Sequence, residues 1–239
     1  MYLAIETATE YASVAVGSGG TVAAERSVAG SRRQAAELVP TIEEVLRTVD
    51  ASLETLDGLV VADGPGSFTG LRVGASVAKA LAHTRQLSLW TAPSLMVMAA
   101  GATEATGELI WSITDALRGD VYLGGFRVWP GRIETVLSPQ VVPVLDLETL
   151  DPRPNRIVTL VTGSLLERVP RWPGIALKEG VEVAPRAGVL LQLVGRDGGA
   201  RRIPEPELWE PEYGRPAEAQ ARWEAEHGRK LPDPARASG

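Results

Sequence analysis

The chain has 239 residues, of which 44% are hydrophobic and 23% are charged, as is usual for a globular protein of one large or two small domains. Its formal net charge of −6 argues against a broad basic face for nucleic acid. The absence of cysteine excludes disulfides, thiolate metal sites and a cysteine nucleophile. The N-terminus shows no secretory signal, and no apolar run reaches the roughly 20 residues of a membrane span, so we expect a cytoplasmic protein without membrane contact.

The first half of the chain is predicted to begin as a three-stranded meander and to continue with helices. Ser31 and Gln34 have the spacing of a capping box, and apolar residues follow at helical intervals through Pro40. Ser67 and Thr69 are both candidate N-caps for the next long helix. The predicted strands are 2–6, 11–17, 21–28 and 59–62, and the predicted helices are 32–49, 69–86 and 94–101.

A similar pattern restarts near residue 108, where strands at 108–114 and 121–129 flank a turn. Both halves therefore open with a hairpin that carries an acidic residue at its tip, Glu6 in one and Asp115 in the other, which suggests two related lobes. Farther on we predict a strand at 157–162 and helices at 186–194 and 216–228. The predicted domains are an N-terminal lobe (1–103), which the helix at 216–228 could join, a smaller C-terminal lobe (104–215) and a flexible tail (229–239).

The segment DGPGSFTGLRVG at residues 63–74 resembles a phosphate-binding turn between a strand and a helix. It lacks the lysine of a Walker loop, because Leu71 follows Gly70. It also lacks the third glycine of a dinucleotide fingerprint, where Thr69 stands instead. Spacing alone therefore disfavours phosphate binding.

Small residues recur every fourth position along the helix that follows, at Gly70, Gly74, Ala78 and Ala82. Such a stripe lets a second backbone approach closely. The pattern alone favours packing inside the chain over docking of a partner protein, and both interpretations stay open at this point.

The acidic tips allow a third interpretation. In nucleotide-binding hairpins of the actin, hexokinase and Hsp70 type, a carboxylate after the first strand positions Mg²⁺, so Glu6 and Asp115 are candidates for a Mg-ATP site. Short acidic turns are also common without any such role. The two histidines, His83 and His227, form no metal-binding pair, which disfavours a metallopeptidase.

Several ordered motifs together resemble the bacterial TsaB (YeaZ) family: LAIETATEYASVAV, ELVPTIEEVL, DGPGSFTGLRVGASVAKALA, APSL and DALRGDVY. They cover roughly residues 2–127, and PEYGR at 211–215 resembles the family's C-terminal end. The resemblance implies an α/β protein with a two-lobed ASKHA fold (actin, hexokinase and Hsp70 type), in which mixed sheets are flanked by helices. Two departures are Glu6, where the family commonly has Asp, and Gln34, where it has His.

The resemblance also implies a function. TsaB proteins are non-catalytic scaffolds that activate their catalytic paralogue TsaD in making N6-threonylcarbamoyladenosine at position 37 of tRNA, with the ATPase TsaE also joining. It implies a homodimer when the chain is alone, tRNA contact only through the complex, and no catalytic residue, metal or cofactor of its own. An active Mg-ATP-dependent small-molecule kinase is the alternative. The partner-binding residues carried over to this chain are Ala35, Leu38, Val39, Ile42, Gly70, Val73, Gly74, Val77 and Leu81.

Overall fold

A computed structural model describes residues 1–28, 34–103, 106–215 and 228 of the chain. The strands are β1 (Tyr2–Glu6), β2 (Ser13–Ser18), β3 (Thr21–Ser27), β4 (Gly58–Ala62), β5 (Ser88–Ala92), β6 (Leu109–Asp115), β7 (Asp120–Trp129), β8 (Arg132–Pro143), β9 (Arg156–Thr159), β10 (Ala176–Glu179) and β11 (Arg201–Ile203). The helices are α1 (Gln34–Thr48), α2 (Phe68–Arg85), α3 (Ser94–Gly101), α4 (Gly163–Leu166) and α5 (Ala187–Leu193), with short 3-10 helices at Leu53–Thr55, Val144–Thr149 and Val181–Val183.

The strands form two mixed sheets that repeat one topology. The first sheet has the order β11-β5-β4-β1-β2-β3 and the second has the order β10-β9-β6-β7-β8. In each sheet the first three strands in chain order pair with their neighbours in antiparallel fashion, and the next two strands run parallel to the first. The duplication that the two acidic hairpins suggested is therefore confirmed over five strands of each sheet, and β11 extends the first sheet at its edge.

Alternating side chains of the first sheet enter two different cores, because successive residues of a strand point to opposite faces. Leu3 and Ile5 share an apolar cluster with Leu38 of α1 and Ala78 of α2. Ala4, between them, belongs to a second cluster with residues of α3 and α5. Helices α1 and α2 thus cover one face, and α3 and α5 cover the other.

The second core also joins the two sheets. Its members include Val60 from the first sheet and Ile110 and Phe126 from the second, and α3 packs on β6 and β7. A third cluster, around Trp111 and Leu147, covers the outer face of the second sheet. We call the first sheet with α1, α2 and α5 the first lobe, and the second sheet with its outer cover the second lobe.

The chain returns to the first lobe near its end. Helix α5 packs on β1 and β2, and β11 pairs with β5, so residues 187–203 belong with the first lobe although the sequence placed them in the second. The reason is that β5 leaves a free edge which β11 covers. The predicted helix at 216–228 and tail at 229–239 lie outside the described residues, apart from Gly228. No helix of the described part of the chain is long and apolar enough to cross a bilayer.

Candidate functional site

A cleft of about 880 Å³ separates the two lobes on the side of the hairpin tips. Its first-lobe wall is the turn after β1 and the start of α2, and its second-lobe wall is the tip between β6 and β7. Of its 17 lining residues, four are aromatic, four are serine or threonine and four are charged. The residues lining it are Ala8, Thr9, Glu10, Tyr11, Gly66, Ser67, Phe68, Thr69, Thr114, Asp115, Ala116, Leu117, Arg118, Tyr122, Leu160, Tyr213 and Arg215.

The two acidic residues predicted as a Mg-ATP pair are not brought together in this cleft. Asp115 lines it, and its Oδ1 accepts a hydrogen bond of 2.6 Å from the Leu117 backbone N–H. Glu6 lies behind the cleft wall with 0% of its surface exposed, and its Oε1 accepts a 2.7 Å hydrogen bond from the Ala8 N–H. A nucleotide-bound Mg²⁺ in the cleft would therefore not meet the Glu6 carboxyl in this arrangement.

Burial also changes the ionisation of Glu6. Desolvation raises the pKa of its carboxyl to about 8, with a smaller contribution from the negative charge of Asp63, and the Ala8 N–H opposes the rise. Within the described residues Glu6 Oε2 has no hydrogen-bond partner, and an unpaired buried charge is costly. At neutral pH the carboxyl is therefore mostly protonated.

Asp63, at the end of β4, is the second buried carboxyl of this region. Its desolvation raises its pKa above the ordinary value, although an ion pair of 3.0 Å with Arg201 works against the rise. The described residues contain no cluster of three or more acidic or histidine side chains that could hold a metal ion. The kinase alternative thus gains no support from the geometry.

Three of the four glycines in the segment at 63–74 are explained by contacts within the chain. An added Cβ would lie 2.1 Å from the Glu212 carbonyl oxygen at Gly64, 2.2 Å from the Ala8 carbonyl oxygen at Gly66, and 2.3 Å from Thr7 Oγ1 at Gly74. Such distances are far below van der Waals contact, so no side chain fits there. Of the two candidate caps it is Ser67 that caps α2, accepting a 3.2 Å hydrogen bond from the Gly70 N–H.

The small-residue stripe faces the interior. Gly70, Gly74, Ala78 and Ala82 are all buried in the chain itself, where α2 packs on β4 and β1. Thr7 lies against Gly74, and the sheet packs on this side of α2, which favours the interpretation of the stripe as packing inside the chain. The assignment of Gly70 and Gly74 to a partner-binding surface stays a prediction.

The remaining predicted docking residues divide by exposure. Leu38 and Ile42 lie in the first-lobe core. Ala35 is exposed and Val39 is 49% exposed on α1, whereas the α2 residues Val73, Val77 and Leu81 are half-buried beside the same core. We call the set Ala35, Val39, Val73, Val77 and Leu81 the α1–α2 face.

Sequence reasoning missed several residues that shape the cleft. Tyr122 donates a 3.2 Å hydrogen bond to the Tyr213 carbonyl, and Asp120 forms an ion pair with Arg215. The first pair is separated by 91 positions and the second by 95. The motif PEYGR was the available signal, because it contains both C-terminal members.

Two five-stranded units of one topology that face each other across a cleft define the ASKHA class, to which actin, hexokinase and Hsp70 belong. The family model for TsaD, described as tRNA N6-adenosine threonylcarbamoyltransferase, matches residues 18–163. The tRNA threonylcarbamoyladenosine biosynthesis protein TsaB of Escherichia coli (strain K12) is 32% identical over 204 residues, which are 80% of this chain and 84% of that protein. TsaB of Bacillus subtilis (strain 168) is 30% identical over 226 residues, 92% of this chain and 96% of that protein.

A solved structure agrees with these sequence relatives. YeaZ from Pseudomonas aeruginosa superposes with a TM-score of 0.71 at 28% identity, covering 81% of this chain and 90% of that one. The chain belongs to the TsaB family.

Proposed function

We propose that this chain is a non-catalytic partner of TsaD in the biosynthesis of N6-threonylcarbamoyladenosine at position 37 of tRNA. Its relatives in E. coli and B. subtilis are named for that pathway, and the similarity covers most of their length. The chain's likeness to the TsaD family model fits a paralogue that keeps the transferase's fold.

The observation that supports a non-catalytic role most directly is the position of Glu6. The carboxyl at the end of β1 is fully buried behind the cleft wall, where it accepts a hydrogen bond from the Ala8 N–H. The cleft therefore lacks the carboxylate that a Mg-ATP-dependent enzyme of this architecture needs at the end of β1.

We propose that TsaD docks on the α1–α2 face. Exposed apolar side chains such as Val39 are unfavourable in water, and the free energy falls when a partner covers them. Without TsaD, the same face would pair with a second copy of this chain. TsaE would join the complex through TsaD, and tRNA would be bound by the assembly, since this chain has a net charge of −6.

The test is binding with purified components. The chain and the TsaD of the same organism are mixed and examined by analytical ultracentrifugation, and ATP with Mg²⁺ is titrated into the chain alone by calorimetry. We expect a 1:1 complex in the first experiment and no heat of binding in the second. Failure to form a complex would refute the proposed role, and tight ATP binding would support the kinase alternative instead.

A further inference from the structure

The segment from Glu207 to Arg215, which we call the strap, leaves the first lobe after β11 and ends against the second lobe. We propose that the strap sets the angle between the two lobes and so fixes the width of the cleft. This inference does not depend on the identity of any partner, because it follows from contacts inside the chain.

The strap is held to the first lobe at three points. Lys79 of α2 forms a 2.5 Å ion pair with Glu210 and donates a 3.5 Å hydrogen bond to the Glu207 carbonyl. Trp209 is only 7% exposed and belongs to the first-lobe apolar cluster. The Glu212 N–H donates a 2.7 Å hydrogen bond to the Asp63 carbonyl.

The strap also fills the space above the glycine turn. The Glu212 carbonyl oxygen occupies the volume that a side chain at Gly64 would need. Gly64 has φ of +100°, a conformation that favours glycine. Because ligands of open α/β sheets bind beyond the carboxyl ends of the strands, the strap covers the end of β4 where such a ligand would approach.

Its attachment to the second lobe uses different residues. Arg215 pairs with Asp120 at the start of β7, with 25% and 29% of the two side chains exposed. Gly214 lies so close to the Tyr122 ring that an added Cβ would be 2.5 Å from its Cε1 atom. A half-buried ion pair next to tight packing restrains a segment better than an exposed pair does.

Tyr213 contacts both lobes at once. Its carbonyl accepts the hydrogen bond from Tyr122 in the second lobe, and its ring lies 4.6 Å, centroid to centroid, from Phe68 in the first. The apolar core around α3 also joins the two lobes, and the strap adds a second connection beside the cleft. Rotation of one lobe about that core would have to break the Tyr213 contacts.

The proposal can be tested with paired spin labels, because the chain has no native cysteine. Glu43→Cys on α1 and Glu148→Cys in the second lobe introduce labels at two exposed positions, and pulsed EPR gives the distribution of distances between them. The test variant combines Tyr213→Ala with Arg215→Met. The control is Arg85→Met, which removes an exposed 2.8 Å ion pair with Glu54 within the first lobe.

We expect the test variant to broaden the interlobe distance distribution at least about twofold, as for a released hinge, and the control to leave it unchanged. An unchanged width in the folded test variant would overturn the proposal, and so would equal broadening in the control. If the test variant does not fold, Tyr122→Phe combined with Asp120→Asn removes the hydrogen bond to the Tyr213 carbonyl and the negative charge that pairs with Arg215, at nearly constant volume. The same width comparison then decides the question.

Discussion

Glu6 ends β1 with a carboxyl that makes one hydrogen bond, to the Ala8 N–H, and is otherwise enclosed. Its folded pKa of about 8 lies above the ordinary value of 4.5. Protonation of Glu6 therefore favours the folded state: its contribution is complete below pH 4.5 and is lost progressively as pH rises toward 8. An ionisable residue at this position costs stability at neutral pH.

We expect Glu6→Gln to remove this pH dependence, because glutamine keeps an oxygen that can accept the Ala8 N–H but does not ionise. The variant should have a higher free energy of unfolding than the parent. The difference between the two should grow by up to about 1.4 kcal/mol per pH unit between pH 5 and 8. Urea unfolding of both proteins at pH 5, 6.5 and 8 measures it. A difference that stays constant with pH would show that Glu6 does not titrate in this range.

Gly74 and Thr7 form a contact that can be tested with a double-mutant cycle. We expect Gly74→Ala to destabilise the chain by about 1–3 kcal/mol, because its Cβ would lie 2.3 Å from the buried Thr7 Oγ1. In the Thr7→Ala background the same change should become neutral or stabilising by up to about 1 kcal/mol, since alanine is the better helix former. Thermal or urea unfolding of the four proteins gives the coupling. Additive effects would contradict the contact.

At the scale of elements, the sequence predicted those with strong periodicity or caps. The helix predicted at 94–101 matches α3, and the helix predicted at 69–86 differs from α2 by one residue at each end. The helix predicted at 32–49 corresponds to α1. Residues 32 and 33 of the predicted range lie outside the described part of the chain. The meander at the N-terminus is confirmed.

The sequence prediction missed four strands, β5, β8, β10 and β11, and for the first two the reason can be identified. β5 has only five residues, of which three are apolar, and so short a strand cannot be told from a helical segment by periodicity. β8 contains Pro139 and Pro143 with charged residues between apolar ones, a composition that disfavours a central strand. It lies at the edge of the second sheet, where prolines and charges are tolerated.

The α1–α2 face gives a prediction at the same scale. Val39→Arg places a charge on an exposed apolar position, so we expect it to weaken TsaD binding at least about tenfold while the melting temperature stays the same. The matched control is Leu145→Arg, at a position 70% exposed in the second lobe, which should leave binding unchanged. Titrations by calorimetry compare them. Equal weakening by both variants, or none by Val39→Arg, would argue against docking at this face.

At the scale of the whole molecule, the sequence suggested two related lobes from two hairpins with acidic tips, at Glu6 and Asp115. The structure extends the relation to five strands on each side. The sequence also identified the glycine turn, but not the groups that approach it. Glu212 and Gly64 are far apart in the chain, and only the folded lobes bring the strap over the turn. Contacts of this kind leave no local periodicity and so could not be predicted.

The central claim is that this chain supports TsaD without contributing a catalytic residue. The most direct test is a reconstituted reaction containing TsaD and TsaE from the same organism, tRNA and the threonylcarbamoyl-adenylate donor, with modified nucleosides measured by mass spectrometry. We expect modification of adenosine 37 only when the chain is present, and equal modification with the parent and the Glu6→Gln variant. Full modification without the chain, or its loss with a folded Glu6→Gln variant, would contradict the proposed role.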